Sequence, residues 1–140
     1  MGVVSIMSIL RHHDKLKLTK ALLIMPFYSH NQTLQVLKKS NIKIRSIEEF
    51  IVKYPSYFAN FNERFYSLIP ITLNTILLME QMKLIRVENG YINLNDEKSF
   101  DISIKQLGNR GKNIMDAGTK LEKILLGDEN NLYLQLRVSL

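Results

Sequence analysis

Three observations predict a mainly α fold with a small β component (α+β) for this chain of 140 residues. Short segments with helical apolar spacing, bounded by capping residues, fill the first sixty residues. From Asn62 to Asn95 a helical period gives way to a β-period around an Asn-Gly pair. A long amphipathic segment then runs to Gly127, and strict alternation closes the chain. A helix that runs directly into a tight hairpin is how a winged helix-turn-helix domain ends. The expectation is therefore such a domain over residues 1–95, with its wing at 84–95. A C-terminal helix and strand over 96–140 would pack on it or on a partner.

The first helix is read from Val3, Val4, Ile6, Met7, Ile9 and Leu10, one wide apolar face that closes at Arg11-His12-His13. Leu16-Lys17-Leu18 alternates as a short strand does. Thr19 is the expected N-cap of a core helix over Lys20–Met25, since its hydroxyl can accept from a free amide of the first turn. Pro26 bounds or kinks that helix. A further helix runs from Asn31 through Lys39, with Leu34 and Leu37 inward and Lys38 and Lys39 outward. Ser46 with Glu49 three residues on fits a capping box, and Tyr54-Pro55 ends the helix that it opens. Tyr57, Phe58 and Phe61 make the next connection too aromatic to lie in solvent.

In the central helix, Leu68, Ile69, Leu73, Ile76, Leu77 and Met79 recur at three- and four-residue steps and predict one buried stripe. Ile85, Val87, Tyr91, Ile92 and Leu94 then surround Glu88-Asn89-Gly90, a strong hairpin signal. After a polar junction at Asp96–Asp101, a helix is expected over Ser103–Leu126. Gly108, Gly111 and Gly118 interrupt it, at about 1 kcal/mol each relative to Ala. Either something approaches that helix closely, or it breaks near Gly108–Gly111. Gly127 stops it. Leu132–Leu140 alternates and reads as a half-buried strand that pairs with the wing or is offered to another chain.

Composition bounds the function. There are no cysteines, which excludes disulfides, thiolate nucleophiles and sulfur-held zinc. No apolar run approaches a membrane span and no signal peptide is evident, so the cytoplasm is the expected address. The net charge of +6 is unevenly placed. Residues 1–45 carry eight Lys or Arg against Asp14 alone, and the remainder eleven against twelve acidic groups. Such asymmetry points to an acidic partner, nucleic acid or the acidic face of a protein. Lys38, Lys39, Lys43 and Arg45 are the candidate DNA-phosphate contacts.

No catalytic constellation stands out. Gly108-Asn109-Arg110-Gly111-Lys112 lacks the spacing and the following Ser or Thr of a phosphate loop. His12 and His13, adjacent on one segment, diverge and make a poor chelating pair. Glu48 and Glu49 suit a helix N-terminus. No metal, cofactor or small-molecule substrate is expected, and the chain reads as a binding module rather than an enzyme. The central helix offers basic residues only at its ends, Arg64 and Lys83, and the wing carries Glu88. That favours protein docking over groove reading. Two alternatives remain: a stand-alone winged-helix DNA-binding transcription regulator, and an enzyme with a carboxylate site at Asp96, Glu97 and Asp101.

Several segments together resemble a family. KALLIMP at Lys20–Pro26, then SIEEF, FANFNERFYSLIPITLN and LLMEQMKLI, and later KNIMDAGTKLEKIL and LYLQLRVSL, are similar to the small middle component of bacterial three-component ABC ATPase antiviral systems, the Lamassu type included. The resemblance covers about Leu18–Leu140. Its most specific part is Asn62, Arg64, Tyr66, Pro70 and Asn74 within thirteen residues. It implies a non-catalytic adaptor that docks on an SMC- or Rad50-like ABC ATPase and links it to an effector, commonly a nuclease, in a complex that detects foreign double-stranded DNA. Asn62, Arg64, Tyr66 and Asn74 are then the partner-binding or site-shaping candidates. Gly118 departs from the pattern, standing where Ala is expected.

Overall fold

The computed structural model describes residues 2–95 and 108–140. Its elements in order are α1 (Gly2–Leu10), β1 (Lys15–Lys17), α2 (Leu18–Ala21), α3 (Ile24–Tyr28), α4 (Asn31–Lys38), α5 (Ile47–Lys53), a 3-10 turn (Pro55–Phe58), α6 (Phe61–Gln81), β2 (Ile85–Glu88), β3 (Tyr91–Leu94), α7 (Gly108–Leu125) and α8 (Glu129–Leu136). The described chain is mainly helical, with one antiparallel sheet in the order β1-β3-β2. Asp96, Glu97 and Asp101, and the expected first turn at Ser103–Leu107, lie outside the described residues.

The core is organised around α1, which packs against α7, α6 and α3. Both crossings are close. A Cβ built on Gly2 would meet Thr75 Oγ1 of α6 at 2.5 Å, and one on Gly118 would overlap the Ser8 carbonyl oxygen and lie 2.9 Å from its carbonyl carbon. Of the two readings of the α7 glycines, close approach holds at Gly118, where the neighbour is α1, while a Cβ on Gly108 would meet nothing within 4 Å. At the same crossing the Ser8 hydroxyl donates to the Ser5 carbonyl at 2.6 Å and accepts from the fully buried Tyr28 hydroxyl at 2.8 Å. Burial pushes the Tyr28 phenol well above its ordinary pKa. Phe27, Phe50, Phe58 and Phe61 form an edge-on aromatic cluster that joins α3, α5, the 3-10 turn and α6.

The hairpin forms as expected. Glu88 pairs with Tyr91 across Asn89 (φ 53°) and Gly90 (φ 77°), the two left-handed residues of a type I′ turn. The third strand, β1, comes from between the first two helices and pairs Leu16 with Ile92. The Ser46 hydroxyl accepts from the Glu49 amide at 3.2 Å, whereas the Glu49 carboxylate accepts one residue further out than a capping box, from the Arg45 amide.

Four expectations are corrected. The buried face of α6 is Phe61, Phe65, Thr72, Ile76 and Met79, with Leu73 and Leu77 on the outside. The helix is apolar nearly all round, so two overlapping stripes share its period. Leu132–Leu136 is helix rather than strand. Asp128 caps it by accepting from the Asn131 amide, Leu132 and Leu136 bury one turn apart, and Arg137 in the left-handed region closes it. Alternation and an i, i+4 pair coincide over so short a run. Thr19 lies inside α2, whose N-cap is Lys17, and the expected core helix divides into α2 and α3. Pro26 falls in the first turn of α3, where no intrahelical donor is needed.

Candidate docking surfaces

The outward face of α6 is apolar. Tyr66, Pro70, Leu73 and Leu77 follow at steps of four, three and four residues, the spacing of a coiled-coil seam. Ile71, Leu78 and Met82 flank them, and these side chains together with Tyr66, Leu73 and Leu77 are each between 44% and 52% exposed. Apolar residues exposed singly are ordinary, but a contiguous row marks an interaction site. Pro70 removes the amide that would bond the Tyr66 carbonyl. Asn74 stands exposed in the same row, although its residue type disfavours mid-helix positions.

The motif residues divide between three places. Tyr66 and Asn74 share the outward face with Pro70. The Tyr66 hydroxyl accepts from the Ser139 amide at 3.1 Å, which ties down the chain end, and its contacts with the Ser139 hydroxyl and amide lower its pKa. Arg64 points the other way. Its guanidinium lies over the Phe61 ring and donates to the Pro26 and Tyr57 carbonyls, both at 3.2 Å, so it clamps α3 and the 3-10 turn to α6. Burial lowers its pKa. Asn62 accepts from the Glu63 amide and lines a hollow of about 360 Å³ between the 3-10 turn and α8, beside Phe58, Leu134 and Arg137.

The four basic residues singled out in the first third are brought together. Lys38, Lys39, Lys43 and Arg45 line a hollow of about 650 Å³ at the C-terminal end of α4, and α7 adds Lys120 and Lys123. Among the described residues its apolar lining is Leu37, Ile42 and Ile44, and its one carboxylate is Asp116. Among the described residues none of the six cations has a carboxylate within 4 Å. Lys120 is a strut rather than a free charge. Its ammonium donates to the carbonyls of Val36, Lys39 and Ile42, holding the end of α4 and the following loop in place. Burial lowers its pKa.

Three positions escape the sequence. Lys120 and Lys123 lie about 80 residues from the other cations, and only packing of α7 on α4 unites them. His30 is the N-cap of α4, its Nδ1 accepting from the Thr33 amide at 3.3 Å. Burial and the nearby Arg64 lower its pKa. Among the described residues no group of three or more His, Asp or Glu could hold a metal ion. No described helix is long and apolar enough to cross a membrane.

The model of a protein family described as "ABC-three component (ABC-3C) system Middle Component 3" matches residues 8–140. Neither a curated protein nor a solved structure matches the chain.

Proposed function

Since the chain belongs to the Middle Component 3 family of ABC-three component systems, we propose that it is the non-catalytic adaptor of such a system. It docks on an SMC- or Rad50-like ABC ATPase and links that ATPase to an effector, a nuclease in the Lamassu-type arrangement that the sequence resembles. The unit that docks is α6 with its hairpin, in a winged-helix arrangement to which β1 contributes the third strand. The observation that carries this reading is the exposed row Tyr66, Pro70, Leu73 and Leu77. A helix face with coiled-coil spacing is complementary to another helix. A recognition helix for DNA would present polar and basic groups there instead.

Arg64 and Asn62 serve this face indirectly, by fixing how α6 enters the domain, while Tyr66 and Asn74 meet the partner. The charge around α4 also suits a phosphate backbone, and duplex DNA is the second reading for that face alone. The adaptor is a cytoplasmic protein on this account and needs no cofactor.

Co-expression with the other components of the system, followed by affinity purification, tests the proposal. The chain is expected to co-purify with the ATPase, and Leu73→Asp with Leu77→Asp to abolish that. Each leucine is about half exposed, so docking gains about half of the 1.5–3 kcal/mol of a full burial, and losing the pair weakens binding at least about tenfold before the cost of burying two carboxylates. A chain that ignores the ATPase, forms a homodimer and shifts a specific duplex would establish the regulator instead.

A further inference from the structure

The hollow at the end of α4 differs from a phosphate track in one respect: its lining is partly apolar. Partly exposed Ile42 lines it, nearly buried Leu37 and Ile44 back it, and Lys38, Lys39, Lys43 and Lys123 line it alongside. A duplex backbone gains nothing from aliphatic side chains in a recess, and unstacked bases are held on aromatic faces, of which the hollow has none among the described residues. Among the described residues Arg45 supplies the hollow's one bidentate fork, and its other cations are lysines, which bind as point charges. The combination of lysines and an aliphatic lining is complementary to a carboxylate-rich peptide with one apolar side chain.

We infer that this hollow binds a short acidic segment of a partner protein, with its carboxylates on the lysines and one apolar anchor against Ile42, which Leu37 and Ile44 back. Lys120 acts as a positioning residue. By fixing the carbonyls of Val36, Lys39 and Ile42 it shapes the recess while its own charge is held inside. The inference deepens the adaptor reading, since a linking subunit needs two surfaces. The hollow is built by α4, the loop after it and α7, whereas the apolar row belongs to α6. It rests on that reading only for the membership of the partner in the same assembly.

The test uses the purified full chain and three probes in fluorescence anisotropy. These are a labelled Asp/Glu peptide with one central Leu, the same peptide with Ser in place of that Leu, and a duplex DNA. The Leu peptide is expected to bind, the Ser peptide at least about tenfold more weakly. Lys39→Glu with Lys43→Glu and Lys123→Glu should remove binding while leaving the far-ultraviolet circular dichroism unchanged. Leu73→Asp on α6 should have no effect on the peptide, so this inference and the ATPase-docking proposal can fail separately. Equal binding of the two peptides would reduce the hollow to a charged surface and overturn the inference. Tighter binding of the duplex, lost in the same triple variant, would assign the hollow to nucleic acid.

Discussion

Gly118→Ala tests the packing of α1 on α7, because two effects oppose each other there. In an open helix interior the substitution stabilises by about 1 kcal/mol. At Gly118 the added methyl group would lie 2.9 Å from both the carbonyl carbon and the Cβ of Ser8, against an ordinary contact of 3.4–4 Å. The obstruction includes backbone rather than a flexible side-chain end, so α1 itself must move by half an ångström or more. Overpacking of this kind costs about 1–3 kcal/mol, sometimes more. The shift also disturbs the buried Tyr28–Ser8–Ser5 hydrogen bonds, worth about 1 kcal/mol each. The net expectation is a loss of about 1–3 kcal/mol. It is read as a lower urea midpoint with an unchanged denaturant slope. A variant as stable as the parent, or more so, would refute the close crossing and with it the account of why glycine stands at this position.

Three further outcomes follow from named contacts. Lys120→Met removes three bonds to carbonyls and should cost about 1–3 kcal/mol, with faster amide exchange confined to residues 39–45; unchanged exchange there would contradict the strut. Lys83 ends α6 in the left-handed region (φ 63°), its amide bonded to the Glu80 carbonyl and that of Leu84 to the Met79 carbonyl. Lys83→Gly should therefore raise stability by up to about 1 kcal/mol, and a lower melting temperature would argue against strain at this cap. Protonation of His30 must remove the lone pair that caps α4, and its folded pKa lies below the ordinary 6.5. Its contribution is present above pH 6.5 and lost as pH falls through the folded pKa. His12 has the same sign, so the comparison is with His30→Asn, which keeps a cap. The parent should lose at most about 1 kcal/mol more than this variant between pH 7 and 5. Parallel curves for the two would rule out a pH-sensitive cap.

Local chemistry made much of this fold legible. Asn89-Gly90 specifies its turn because both residues need positive φ, and Ser46 announces α5 because few residue types can accept from a first-turn amide. Periodicity was less decisive where the chain is apolar on every side. In α6 it identifies the helix but cannot say which of two stripes meets the core, since Leu73 and Ile76 are equally apolar. What decides is the position of α1, a tertiary fact. The same holds for Leu132–Leu140, where alternation and an i, i+4 pair are both satisfied and Asp128 as a cap tips the balance. The basic cluster was half visible. Lys38, Lys39, Lys43 and Arg45 are neighbours in sequence, whereas Lys120 and Lys123 join them only through the α4–α7 contact. Arg64 carries no sequence signal for its place: two backbone carbonyls outside its own helix explain why a charged side chain sits half-buried on an apolar helix.

The most direct test of the adaptor reading compares amide hydrogen exchange of the chain alone with that of the chain in complex with the ATPase of its system. Docking through the outward row predicts slower exchange across residues 66–82, lost with Leu73→Asp and Leu77→Asp. A complex that forms with α6 exchanging as fast as in the free chain would place the interface elsewhere and contradict the account.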